Sequence, residues 1–290
     1  VATYPTMWGE KASLRILTKD LNLTMEGLGL SAHDQETFQN IIQKPHGMFL
    51  VTGPTGSGKT TTLYSAFLKI NRMDKNAIAI EDPIENEIIG VNQAQVNVKA
   101  GVTFSSALRS MLRHDPDIIL VGEIRDSETA DITARAAMTG HLVFSTLHTN
   151  SAIGAITRLK DLGVAPFLIA SSTIGIMAQR LVRKLCDHCK EIYAPSEEEK
   201  QLAGERVQNF YRSDGCSECR DTGYSGRTGI YELAAVSENM RQMIADQLPE
   251  AEILKSLKTE GYKTMWEDSL DKVNVGVTSL EEVFRVCRND

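Results

Sequence analysis

The sequence predicts an α/β fold with a mainly parallel sheet, followed by a small, mostly helical C-terminal part bearing a tetracysteine insert. Three observations predict it. Apolar strands alternate with helices over residues 31–180, which implies helices layered on a parallel sheet. A glycine-rich loop joins one such strand to the next helix. After about residue 180 the pattern changes to two C-x-x-C pairs and then to amphipathic helices.

Residues 1–30 mix short β-prone pieces, such as 13–17, with turns and hold no core of their own; they are read as the tail of a preceding domain. The chain opens on Val1 rather than Met, and is therefore expected to be a piece of a longer protein. Residues 31–43 carry helical features, with Ser31 placed to cap the first turn. Strand 48–52 leads to helix 59–72, strand 77–81 to helix 104–113, and the apolar strand 117–121 to helix 127–138. Strand 141–147 is followed by helix 151–162. The uncharged run 162–179 is read as buried helix. It is broken by Gly163, Pro166, Ser171, Ser172 and Thr173, and a membrane-spanning helix needs about 20 mostly apolar residues. Beyond it come the cysteine-bearing segment 186–219, a short strand 229–233 and helices 238–246, 250–259, 265–273 and 279–286. The domains expected are a remnant lobe 1–30, a nucleotide-binding domain 31–180, a metal-binding subdomain 181–228 and a helical domain 229–290.

The 290 residues suggest about two domains, and 42% hydrophobic with 24% charged residues is ordinary for a globular chain. The net charge of −7 and pI of about 5.5 argue against a general nucleic-acid binder, which usually shows a basic excess. No secretory signal is visible.

Gly53-Pro54-Thr55-Gly56-Ser57-Gly58-Lys59-Thr60 completes the pattern G-x-x-x-x-G-K-[ST] between a strand and a helix. Glycines let successive N–H groups converge on phosphate oxygens, and the following helix adds its positive dipole end. Lys59 would reach the β- and γ-phosphates of ATP, and Thr60 would offer its hydroxyl to Mg2+. Gly53 to Thr60, with Thr61 after them, are the candidate nucleotide-binding residues.

Glu81 closes a predicted strand and opens the acidic run Glu81-Asp82-Pro83-Ile84-Glu85. Carboxylates at a strand end can hold Mg2+ or orient the attacking water; a solvated acidic turn is the bland alternative. The apolar strand 117–121 runs into Gly122-Glu123. Many P-loop enzymes carry Asp where Gly122 stands, so Glu123 must take that role or share it with Glu81. His148 ends a further strand where a γ-phosphate would be sensed, and His141 begins the same strand; such histidines are more often structural hydrogen-bonders. Arg109 and Arg113 lie four apart and share a helix face. They would either meet developing phosphate charge or form a solvated basic face.

Cys186-Asp187-His188-Cys189 and Cys216-Ser217-Glu218-Cys219 account for four of the five cysteines, and Cys287 stands apart. Two tight turns with two thiolates each complete a tetrahedral four-cysteine zinc site with no open position, so its role is structural. A redox dithiol explains one pair but not two.

The phosphate loop GPTGSGKTTTLY, the acidic box AIEDPIE, the segment LRSMLRHDPDIILVGEIRD, the histidine box TGHLVFSTLHT and the tail TGYSGRTGIYEL together resemble the secretion ATPase superfamily. The tetracysteine insert resembles its type II secretion and type IV pilus assembly branch; pilus retraction ATPases generally lack it. The resemblance covers nearly the whole chain. It implies a RecA-like P-loop ATPase core and a cytoplasmic homo-hexamer at the inner membrane. ATP turnover would move pilin or pseudopilin subunits through a polytopic membrane platform protein, with no nucleic acid involved. It places Lys59 and Thr60 on phosphate and Mg2+, Glu123 with Glu81 on the attacking water, and His148 and His141 in the histidine box. Arg109 and Arg113 come near phosphate, and Arg15 at the end of the preceding lobe. A RecA-like nucleic-acid motor, such as a helicase or a DNA-packaging or conjugation ATPase, is the alternative from another class. The acidic pI and the lack of a basic, aromatic stretch weigh against it. A non-catalytic zinc adaptor is a third reading, disfavoured by Glu123.

Overall fold

A computed structural model describes residues 2–14, 24–70 and 74–287. The chain opens with a hairpin of β1 (Ala2–Thr6) and β2 (Gly9–Ser13), with β2 exposed throughout. Then follow α1 (Ala32–Ile42), β3 (Gly47–Thr52), α2 (Lys59–Ile70), β4 (Ala77–Glu81), β5 (Val91–Gln95), α3 (Phe104–Met111) and β6 (Ile118–Val121). After them come α4 (Ser127–Met138), β7 (Leu142–Leu147), α5 (Gly154–Asp161), α6 (Pro166–Ser172) and β8 (Thr173–Leu185). A second hairpin, β9 (Lys190–Tyr193) and β10 (Phe210–Ser213), encloses α7 (Glu197–Ala203). The chain then runs through β11 (Tyr224–Ala235), α8 (Glu238–Ala245), α9 (Glu250–Thr259), α10 (Met265–Asn274) and α11 (Leu280–Cys287).

Seven strands form one sheet in the order β11-β8-β3-β7-β6-β4-β5. All neighbours pair in parallel except β11 with β8. Strands β3, β4, β6 and β7 are buried along their whole length, as parallel strands covered on both faces must be. Their side chains alternate between two cores. Phe49 and Val51 point into the layer of α1 and α2, where Phe38, Phe49, Phe144 and Phe67 meet at ring separations of 5.0–6.1 Å. Met48 and Leu50 point into the larger core, which also holds Leu108, Ala134 and Ile169 from the helices of the other face. The closing helices continue that core through Ile244, Ile253, Leu270 and Val283. No helix among the described residues is long and apolar enough to cross a membrane.

Local chemistry sets the helix starts. The Ser31 hydroxyl accepts from Asp34 N at 3.1 Å, Thr103 forms a capping box with Ser106, and Asp126 accepts from Thr129 N at 2.8 Å.

One expected element is corrected. The run 162–179 is helical only over Pro166–Ser172; from Thr173 it is the first half of β8, paired with β3. A run buried on both faces carries no alternation to separate strand from helix. The β-branched residues Thr173, Ile174 and Ile176 were the available signal. The strand expected at 229–233 extends over Tyr224–Ala235. Both long strands lie in the main sheet, so the positions 180/181 and 228/229 fall inside β8 and β11.

Candidate functional site

In an open parallel sheet, ligands bind beyond the carboxyl ends of the strands. The order β3-β7-β6-β4 sets four such ends in a row: the phosphate loop, His148, Gly122-Glu123 and Glu81. Residues about 90 apart in sequence thereby line one cavity of about 420 Å3, which includes Lys59, Thr60, Thr61, Glu81, Glu123 and His148.

The loop after β3 holds a shape only glycine permits at its start. Gly53 has φ +144°, and a Cβ there would lie 2.4 Å from Gln179 O. Gly53 and Pro54 present their carbonyls to Lys59 Nζ, which donates to them at 2.9 and 3.1 Å, while Thr55 to Thr61 line the cavity. Burial holds the Lys59 ammonium below its usual pKa, with Glu123 and Glu85 pulling it back up. Ser57 Oγ is buried and has no protein partner. A cation resting on carbonyls, an orphaned hydroxyl and loop amides at a helix start form a donor set suited to a polyphosphate.

Gln179, 1% exposed in the middle of β8, fastens this loop. Its Nε2 donates to Ser57 O at 2.7 Å, and its Oε1 accepts from Thr62 Oγ1 at 2.7 Å. Sequence reasoning missed it, because its partners are more than 110 positions away. A polar residue inside an apolar run was the only signal.

The acidic side has two layers. Glu123 is the outer one: Arg125 forms an ion pair with Oε1, and His148 Nε2 lies 3.4 Å from Oε2. The Glu123 hydrogen bond raises the Arg125 pKa. Glu81 is the inner one, 4% exposed, accepting from Tyr64 O–H and from Gln93 Nε2. Burial pushes the Glu81 carboxyl up, with those two donors opposing. Burial also pushes the Tyr64 phenol up, which keeps it a donor. Arg125 and Arg227 line the cavity as well; neither stood out in the sequence, where each is one arginine in a loop or strand end.

Other candidates stand apart from this cavity within the single chain. Arg109 is exposed and pairs with Glu128 on α4, and Arg113 donates to Arg109 O at 3.0 Å. His141 lies at the opposite end of β7 from His148, its Nδ1 2.9 Å from Ala136 O. Arg15 lies outside the described residues.

The four cysteines gather just past the end of β8 and before the start of β11. All four Sγ atoms lie within 4.8 Å of one another, with Cys186–Cys216 and Cys189–Cys219 at 3.8 Å and Cys216–Cys219 at 3.7 Å. A tetrahedron with metal–sulfur bonds of about 2.3 Å has edges of about 3.8 Å, so the thiols fit one four-coordinate ion. Backbone N–H groups of Cys216 and Gly223 point at Cys219 Sγ at 3.1 and 3.3 Å. Desolvation opposes ionisation of Cys219, but those amides together with the Cys216 and Cys189 thiols outweigh it and bring the thiol down to about 6.

Residues 1–285 match the family described as Type II/IV secretion system protein. The type II secretion system ATPase E of Vibrio cholerae is 47% identical over 99% of this chain. The type IV pilus assembly ATPase PilB of Thermus thermophilus is 49% identical over 98% of this chain. The chain spans 58% of the first relative's length and 33% of the second's. The crystal structure of the pilus retraction motor PilT with bound ADP superposes with a TM-score of 0.72 at 30% identity, covering 98% of this chain and 72% of that one.

Proposed function

The chain belongs to the type II/IV secretion system protein family, and we propose that it is the ATP-hydrolysing core of a motor that drives type II secretion or type IV pilus assembly. The convergence of Lys59, Thr60, Glu81, Glu123 and His148 on one cavity carries this reading. Lys59 and the loop amides bind and orient the β- and γ-phosphates, and the Thr60 hydroxyl would help hold Mg2+, which would supply charge neutralisation there. Glu123 accepts a hydrogen bond from the attacking water, with Glu81 behind it. His148, beside Glu123, reads whether a γ-phosphate is present. Arg109, Arg113 and Arg15 act from a neighbouring copy in a homo-hexamer, a reading in keeping with the exposure of Arg109 and Arg113 in one chain. His141 holds the start of the same strand.

The cysteine cluster binds zinc in a structural role, supported by its sulfur spacings. The motor works at the cytoplasmic face of the inner membrane against a polytopic platform protein and a pilin or pseudopilin. The names of the relatives at 47–49% identity support the secretion and assembly side. ATP hydrolysis by wild type and Lys59→Ala tests the core of the proposal. Wild-type turnover that is lost in the variant is expected, and full turnover in the variant rejects it. Stimulation by the platform's cytoplasmic domain is expected; stimulation by single-stranded DNA instead would reassign the motor to nucleic acid.

A further inference from the structure

Gly122 stands where P-loop enzymes commonly carry the aspartate that holds Mg2+. The space its side chain would take is filled by the end of β4: a Cβ at 122 would lie 3.2 Å from Ile80 O and 3.3 Å from Glu81 Cα. Beside Gly122 the neighbouring strand contributes a carboxylate of its own to the cavity, Glu81.

Glu81 is fixed from two sides. The Tyr64 hydroxyl donates to Oε2, and Gln93 Nε2 donates to Oε1 at 2.8 Å. Tyr64 follows Thr60 by four residues on α2, so both lie on one helix face. Gln93 comes from β5 at the sheet edge and reaches further. Its Nε2 also donates to Asn86 O at 2.9 Å, and its Oε1 accepts from Ile88 N at 2.7 Å. One amide therefore ties down both the carboxylate and the acidic loop that follows it. A carboxylate offers about four acceptor sites, so two remain for water after these donors.

We infer that Tyr64 and Gln93 are positioning residues of the hydrolytic centre, which hold the Glu81 carboxylate at the nucleotide pocket where Gly122 supplies none. This rests on the reading of the pocket as an ATP-hydrolysing site. A purely structural role would make the two donors matter equally whether or not residue 81 is an acid, and that difference is measurable.

The test is steady-state ATP hydrolysis by the protein at its native length, with ADP affinity measured separately. Tyr64→Phe keeps the ring and removes one donor; Gln93→Met keeps the length and removes the amide. Each is expected to lower kcat about tenfold or more with the ADP Kd changed by less than about threefold, the loss of one hydrogen bond to a charged group. In a Glu81→Gln background neither is expected to lower kcat further. Equal losses with and without Glu81, a loss carried wholly by Kd, or wild-type kcat in both variants overturns the inference. If Tyr64→Phe does not fold, Gln93→Met, at a partly exposed site, decides alone. Lys59→Ala separates the two levels. Full turnover there rejects the site itself, whereas an inactive Lys59→Ala beside fully active Glu81→Gln, Tyr64→Phe and Gln93→Met rejects only the positioning role.

Discussion

The phosphate-loop cavity and the cysteine cluster share two strands and are built in opposite ways. Gln179 on β8 grips the phosphate loop, and Cys186 follows the end of that same strand. Arg227 on β11 faces the cavity, and Cys219 precedes the start of that strand. The cavity collects its groups from four strand ends far apart in sequence, and stays open between Lys59, Glu81, Glu123 and His148. The cluster collects its four sulfurs from two tight turns and closes on itself. An open, distributed site suits a ligand that comes and goes; a closed, local one suits an ion that stays.

Separate damage to each site tests how independent the two are. The largest effect is expected from Lys59→Ala, which should reduce ATP turnover to background while the metal content measured by elemental analysis stays that of wild type. Next is Cys186→Ser combined with Cys189→Ser. It should remove the metal and lower the melting temperature by about 5–10 °C, as seen by calorimetry against a wild-type sample. Gln179→Leu probes the strand both sites share. Losing its bonds to Ser57 O and Thr62 should weaken ATP binding by about 1–3 kcal/mol, roughly 5- to 150-fold, with metal content unchanged; a loss of metal would show that the sites are not separable.

The smallest effect concerns the stretch of β8 between them. Arg183 there donates to Glu282 of α11, which also receives Arg285. Desolvation pushes the Glu282 carboxyl up, but the donors from Arg285 and Arg183 outweigh it and hold it at about 2. Its folded pKa is depressed, so its contribution is fully present above about pH 4.5 and is lost as pH falls toward 2. Glu282→Gln should flatten the stability profile in that window only, as measured by denaturant melts at stepped pH.

The two regions also differ in how far the sequence reveals them. The cysteine cluster was readable from spacing alone, because each pair sits on one tight turn. The phosphate loop was readable for the same reason. Its partners were not: Tyr64 with Glu81, and Gln179 with Ser57, meet only because the sheet order brings them together. The strand β5, Val91-Asn92-Gln93-Ala94-Gln95, is polar enough to pass for a loop, yet it carries the amide that fixes Glu81. Within the apolar run before Gln179, burial on both faces erased the alternation that marks a strand. Arg109 and Arg113 show the converse: motif resemblance points to them, while in one chain both are exposed, Arg109 paired with Glu128 and Arg113 donating to Arg109 O.

Strands β8 and β11 pair antiparallel from Leu185 opposite Tyr224 to Gly175 opposite Ala235, with one register shift between Tyr224 and Arg227. In topological terms they are the two arms of a single hairpin, and everything from residue 186 to 223 is its connecting turn. Its two ends sit one inter-strand spacing apart, about 4.8 Å, which is the span a tight two-residue turn bridges. A chain shortened to Asn-Gly at this point would keep the pairing of β8 with β11 but lose the β9–β10 hairpin and the core contacts of Ala203, Val207 and Phe210. Lengthening or trimming such a connection changes its closure entropy by only about 0.6 kcal/mol per doubling. What the module adds to the fold is its packing on α10, where Arg206 pairs with Asp271 and Gln208 N donates to Asn274 Oδ1.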